Sequence, residues 1–150
     1  MDTKYYIRYY RKEDLFGVNR LLKENFSIEK IKDDVDDNHV EIVTTSDDMV
    51  VGYMLITFIN DFITNDVICF FDYVCVLKSY RNKGIGRSML NMAIDLAKAR
   101  EAKYIQLTSS WFRNEARKLY QDMGFTIRDS DIFRKELLWL LILLIKKDWV

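Results

Sequence analysis

Apolar positions change period several times along the chain, and each change marks an element. Residues 5–9 are β-prone and predict a short opening strand. Leu15, Val18, Leu22 and Phe26 then recur at helical spacing, with Arg20, Lys23 and Glu24 off that stripe, which predicts an amphipathic helix. The polar, acid-rich stretch 29–37 reads as a loop holding a short helix. Stretches 40–45 and 50–59 read as strands, and Ser46-Asp47-Asp48 between them is a turn signal, so the two form a hairpin. After a further turn over 60–66 comes a near-continuous apolar run, 67–77, the pattern of a strand buried on both faces. Asp72 is its one charged residue.

The strongest helix follows at 84–101, where Ile85, Met89, Ala93 and Ala97 share a face. A short strand over 104–108 and a helix over 114–123, stopped by Gly124, complete the pattern. From residue 132 the chain is again β-compatible. The order β, α, β, β, β, α, β, α, β combines antiparallel hairpins with a parallel βαβ unit. It predicts a three-layer mixed α/β fold in which a mostly antiparallel sheet is flanked by helices. No repeat or linker divides residues 1–150, so one domain is expected.

Composition narrows the function classes. The chain is 49% hydrophobic and 31% charged, which is globular. Its formal net charge is zero, so bulk attraction to nucleic acid is not expected. Cys69 and Cys75 stand six positions apart in one strand-like run, roughly 20 Å along a strand, too far to pair. That suits a reducing compartment, and no signal-peptide pattern opens the chain, so a soluble cytoplasmic protein is expected. No Cys/His spacing suggests a metal site, and the one histidine, His39, lies beside a turn, where a surface place is expected.

The candidate chemistry begins at Arg81-Asn82-Lys83-Gly84-Ile85-Gly86, which follows the most apolar strand and opens the strongest helix. Glycines there let a ligand approach the backbone closely, and the free N–H groups and positive dipole end of the helix favour an anion. Arg81, Lys83 and Arg87 add cationic side chains, and a pyrophosphate is the ligand such a loop suits. The loop is not a Walker motif, because no Gly-Lys-Ser/Thr occurs at the required spacing. It is not a dinucleotide fingerprint either, because the third glycine is missing.

The spacing Arg81-x-x-Gly84-x-Gly86 resembles the Arg/Gln-x-x-Gly-x-Gly/Ala signature of the GNAT superfamily of N-acyltransferases. Ala116, Tyr120, Gly124 and Phe125 also resemble its Ala-x-x-x-Tyr-x-x-x-Gly-Phe segment, and Ile7-Arg8 and Glu13-Asp14 fit its opening. The resemblance implies acetyl-CoA as co-substrate and direct attack of an amine on the thioester. It implies that Val74, Cys75 and Val76 offer backbone to the pantetheine arm. It places the pyrophosphate on the N–H groups of Asn82, Lys83, Gly84, Ile85 and Gly86, with Arg87 and Ser88 completing the turn. Tyr120 corresponds to the family's general acid. Asp72 is the candidate base, since relatives carry Glu near that position, and a charged group in an apolar strand is costly unless used or paired. Where the family often has Asn, this chain has Arg113, with Asn114 beside it. Arg113 could contact CoA phosphate or an anionic substrate, or simply start a solvated helix.

The acceptor is expected to be a primary amine, most simply of a small molecule. A protein N-terminus or lysine, or a non-catalytic acyl-CoA-binding module, are the alternatives. Glu29, Asp33, Asp34, Asp36 and Asp37 could attract a cationic amine or be merely solvated. The apolar run 137–145 is too short to span a membrane and is expected to form a last strand or the contact of a homodimer.

Overall fold

The computed structural model describes residues 2–32 and 36–137. Its α-helices and strands follow in the order β1 (Tyr6–Tyr9), α1 (Leu15–Phe26), β2 (His39–Ser46), β3 (Met49–Asn60), β4 (Val67–Val76), α2 (Ile85–Ala99), β5 (Tyr104–Leu107) and α3 (Asn114–Asp122), with 3-10 turns at Lys12–Asp14 and Lys78–Tyr80. The strands form one sheet in chain order, antiparallel from β1 to β4 and parallel between β4 and β5. The turn of the β2–β3 hairpin is Asp47-Asp48, both with positive φ, the conformation whose twist matches the flanking strands.

Helices cover both faces of the sheet. On one face Val18, Leu21 and Leu22 of α1 pack against Val43, Val50, Tyr53 and Cys75. On the other, Ile85, Met89, Leu90, Ala93 and Ala97 of α2 and Tyr120 of α3 pack against Ile42, Val51, Met54, Ile56, Phe58, Cys69 and Phe71. Each large apolar side chain so buried contributes roughly 1.5–3 kcal/mol. The three layers expected from the sequence are therefore present. Helix α1 stops at Ser27, whose φ of 57° is left-handed. Among the described residues of 29–37 no helix forms, against expectation; Asp33 and Asp34 lie outside the described residues. Residues 132–137 carry no strand, and the rest of the apolar run to 145 also lies outside them. No helix among the described residues is long and apolar enough to cross a membrane.

Strand β4 departs most from its sequence pattern. Tyr53 pairs with Cys75 and Leu55 with Asp72, so three steps on β4 face two on β3. The extra residue is accommodated at Tyr73, whose φ is 54°. This bulge reverses the alternation. Phe71 packs on the α2 side, yet Cys75, which a regular strand would put on the same face, packs on the α1 side. Asp72 and Val74, which a regular strand would put on one face, therefore lie on opposite ones, with Val74 packed against the α2-side core. Nor is the run buried on both faces throughout, because Asp72 and Tyr73 are exposed. Cys69 and Cys75 are free and buried on opposite faces, and burial raises both thiols to about 12.

Arg8 of β1 grips the buried Asp14 with two hydrogen bonds, 2.7 and 2.8 Å long. Burial pushes the Asp14 carboxyl up, but the Arg8 bonds and the Arg11 N–H outweigh it and hold it below 3.8. A depressed carboxylate stabilises the fold above its unfolded value, and that share is lost as pH falls through the folded value. Asp14→Asn is therefore expected to cost about 2 kcal/mol at neutral pH, and the deficit should shrink as pH falls below 3.8. Urea unfolding across that pH range checks it.

Candidate active site

Pairing between β4 and β5 ends at Phe71 and Leu107, while β4 runs on to Val76. Val74, Cys75 and Val76 thus lie on the part of β4 that β5 does not pair. Arg81, Asn82, Lys83 and Gly84 then form an exposed turn that leads into α2. Gly84 is the N-cap, with a φ of 80°, and Asn82 also has positive φ. A side chain at Gly84 would be strained, and a Cβ at Gly86 would press the Leu119 methyl of α3 at 3.3 Å. The first helical bond runs from the Ser88 N–H to the Gly84 carbonyl, so the N–H groups of Ile85, Gly86 and Arg87 precede the helical ladder. Those N–H groups fit an anion, and this is the feature that suits the pyrophosphate of a CoA.

The cationic side chains are engaged elsewhere. Arg81 donates to the Val76 carbonyl at 3.1 Å and to Asn25 Oδ1 of α1 at 3.1 Å. Lys83 lies over the Tyr80 ring, and Arg87 is 4.0 Å from Asp122 of α3. Arg113 donates to the Asn25 carbonyl at 2.9 Å and stacks on Phe26. Both arginines thus end on Asn25, at the close of α1. The cradle is formed by backbone, with Asn114 exposed at the start of α3.

Tyr120 is 9% exposed on the last turn of α3. Helix α3 ends in a Schellman turn: Phe125 N–H bonds to the Tyr120 carbonyl at 3.0 Å and Gly124 N–H to the Gln121 carbonyl at 3.0 Å. Gly124 takes the left-handed position at φ 91°. The Phe125 ring meets both Tyr120, at 6.0 Å, and Phe71, at 6.3 Å. The Gly-Phe pair therefore links the tyrosine to the last β4 residue that pairs with β5. Burial raises the Tyr120 phenol, with Arg113 nearby opposing. At neutral pH it keeps its proton and can give it.

Asp72 adjoins the bulge on the α1 side, and partial burial raises its carboxyl above 3.8. On the same face a cavity of about 260 Å³ is lined by Leu22, Lys30, Glu41, Tyr53, Leu55 and Tyr73, among others. Burial, then the hydrogen bond to Glu41, pushes the Tyr53 phenol well above 10. His39, at the edge of this cavity, has its Nδ1 2.6 Å from Asp36.

Two groups of residues escaped the sequence reading. Tyr5 bonds through its hydroxyl to Ser88 Oγ at 2.8 Å, tying the chain start to the first turn of α2. Glu41 and Tyr53 look like ordinary strand positions in the sequence, and only sheet register joins them. Among the described residues no group of His, Cys, Asp and Glu is placed to hold a metal ion.

Residues 37–127 match the family described as Acetyltransferase (GNAT) domain. No curated protein matches the chain. Among solved structures, a transcriptional regulator from Bacillus halodurans is 22% identical, with 89% of this chain and 100% of that one covered and a TM-score of 0.78. Glucosamine-6-phosphate N-acetyltransferase from Arabidopsis thaliana is 16% identical, with 88% and 98% covered and a TM-score of 0.73. AAC(6')-Iy in complex with a CoA bisubstrate analogue is 17% identical, with 89% and 99% covered and a TM-score of 0.74. At these identities the likeness is one of fold.

Proposed function

The chain belongs to the GNAT acetyltransferase family, and on that premise we propose that it acetylates a primary amine of a small molecule, with acetyl-CoA as donor. One observation carries the reading: the glycine-capped start of α2 buries Ile85 in the same core as Tyr120 and Phe71, where β4–β5 pairing ends. Acetyl-CoA supplies a thioester activated toward an amine.

The chain's own residues do the rest. Backbone N–H groups of Asn82 to Gly86 bind the pyrophosphate, with Arg87 and Ser88 at the first helical turn. Backbone of Val74 to Val76 orients the pantetheine arm and polarises the carbonyl. Asp72, its carboxyl raised by burial, accepts the amine proton, directly or through water. Tyr120 Oη holds the proton that the leaving sulfur takes up. Arg113 holds α1 against α3 through Asn25, a positioning role. A homodimer through the apolar C-terminal run is proposed from sequence alone, and sedimentation as a monodisperse monomer would remove it.

Thiol release from acetyl-CoA over a panel of amines, with product masses, tests the function. Acetylated amine and free CoA in equal amounts are expected. CoA binding without turnover on any amine would favour the non-catalytic module, and acetylation of peptides alone would favour a protein acceptor.

A further inference from the structure

Sheet register puts Glu41 opposite Leu55, and Leu55 opposite Asp72. The three form one row across β2, β3 and β4 on the α1 face, beside the cavity that Glu41 and Leu55 line. Two strand spacings separate Glu41 from Asp72, about 10 Å between backbones.

Glu41 is 7% exposed, and a carboxylate so buried needs partners. The Tyr53 hydroxyl donates to its Oε1 at 2.7 Å. The Lys30 ammonium lies 3.1 Å from Oε1 and 3.3 Å from Oε2. The same ammonium donates to the Lys32 carbonyl and stands 5.0 Å from the centre of the Tyr10 ring. A carboxylate, a carbonyl and an aromatic face together make a complete alkylammonium cage. Its occupant comes from irregular chain, so the side chain can leave without breaking a helix or strand. The Lys30 backbone stays pinned through its N–H to Asn19 Oδ1 of α1, at 2.7 Å.

We propose that Glu41, Tyr53 and the Tyr10 ring form an ammonium subsite of the acceptor pocket, which Lys30 fills when no acceptor is bound, and that the acceptor is an alkylamine carrying a second ammonium group. The amine that attacks a thioester must be neutral, so it cannot be the one held as a cation at Glu41. The row geometry separates the two roles: the reacting nitrogen lies near Asp72 and the bulge, and the charged one lies two strands away. A linear diamine or triamine meets both ends. This inference rests on the acetyltransferase reading for its acceptor, but the subsite can be tested without acetyl-CoA.

The probe is butylammonium chloride, titrated by calorimetry into the wild type, Lys30→Met and the double variant Lys30→Met with Glu41→Gln. Methionine keeps the stem packing and vacates the cage. Butylammonium is expected to bind Lys30→Met at least about tenfold more tightly than the wild type, and to raise its Tm by about 5 °C near saturation. Butanol should do neither, and Glu41→Gln should erase the effect. Equal binding to all three proteins would overturn the subsite. If Lys30→Met does not fold, turnover of hexamethylenediamine and hexylamine by wild type and Glu41→Gln decides. The diamine should be favoured by about tenfold or more in KM, and Glu41→Gln should remove that preference with little change in kcat. Equal KM for the two amines in the wild type would overturn it. Glu41-dependent butylammonium binding without acetylation of any amine would keep the subsite and sink the transferase reading instead.

Discussion

Tyr120→Phe is expected to lower kcat by about 100- to 1000-fold and to leave CoA affinity within about twofold of wild type, the loss that follows if the proposed general acid is removed. The substitution deletes one hydroxyl. The ring keeps its place in the α2-side core and its edge contact with Phe125, so folding should be nearly unchanged. Because burial raises the phenol above 10.0, loss of its proton should limit the wild-type enzyme only on the alkaline side of that value. The measurement is steady-state kinetics beside CoA calorimetry. Wild-type kcat in the variant would remove Tyr120 from the chemistry, and equal losses of binding and turnover would make it a binding residue.

Phe71→Ala destabilises the protein by about 3–5 kcal/mol, the range for truncating a buried Phe. Phe71 is 2% exposed and is the last β4 residue paired with β5. Its ring touches Phe125, and Phe125 holds Tyr120. The cavity left by truncation would loosen the point where β4–β5 pairing ends. Urea unfolding should show the full loss in midpoint with the slope preserved. The variant still folded at low temperature should also turn over more slowly, because the Phe125 ring that meets Tyr120 has lost its contact with Phe71. A loss below about 1 kcal/mol would mean that the Phe71–Phe125 contact is not a fixed part of the site.

What the sequence disclosed was local. Gly84 and Gly86 before an amphipathic run predicted the opening of α2, and Gly124 predicted the end of α3, because each glycine answers to backbone conformation within a few residues. Tyr120 is singled out by the resemblance of Ala116, Tyr120, Gly124 and Phe125 to the GNAT segment, and the Schellman turn accounts physically for the spacing of Tyr120 to Gly124-Phe125. What stayed hidden depends on partners far along the chain. Tyr73 is not a residue type that announces positive φ, and its bulge exists only in the register of β4 against β3. Without it, Asp72 and Val74 would share a face. Arg81 and Arg113 both reach α1, and only the packing of α1 on the sheet brings Asn25 to them. Glu41 and Lys30 pair across a loop, and no periodicity marks such a contact.

Most directly at stake is the backbone cradle at the start of α2. Calorimetric titration of CoA and of pantetheine, which has the same arm without the pyrophosphate and the adenosine 3'-phosphate, tests it. CoA should bind, and pantetheine should bind at least about 100-fold more weakly, since several charge-assisted N–H bonds to phosphate are lost. Equal affinity for the two, or no binding of CoA, would contradict the assignment of the loop from Arg81 to Gly86.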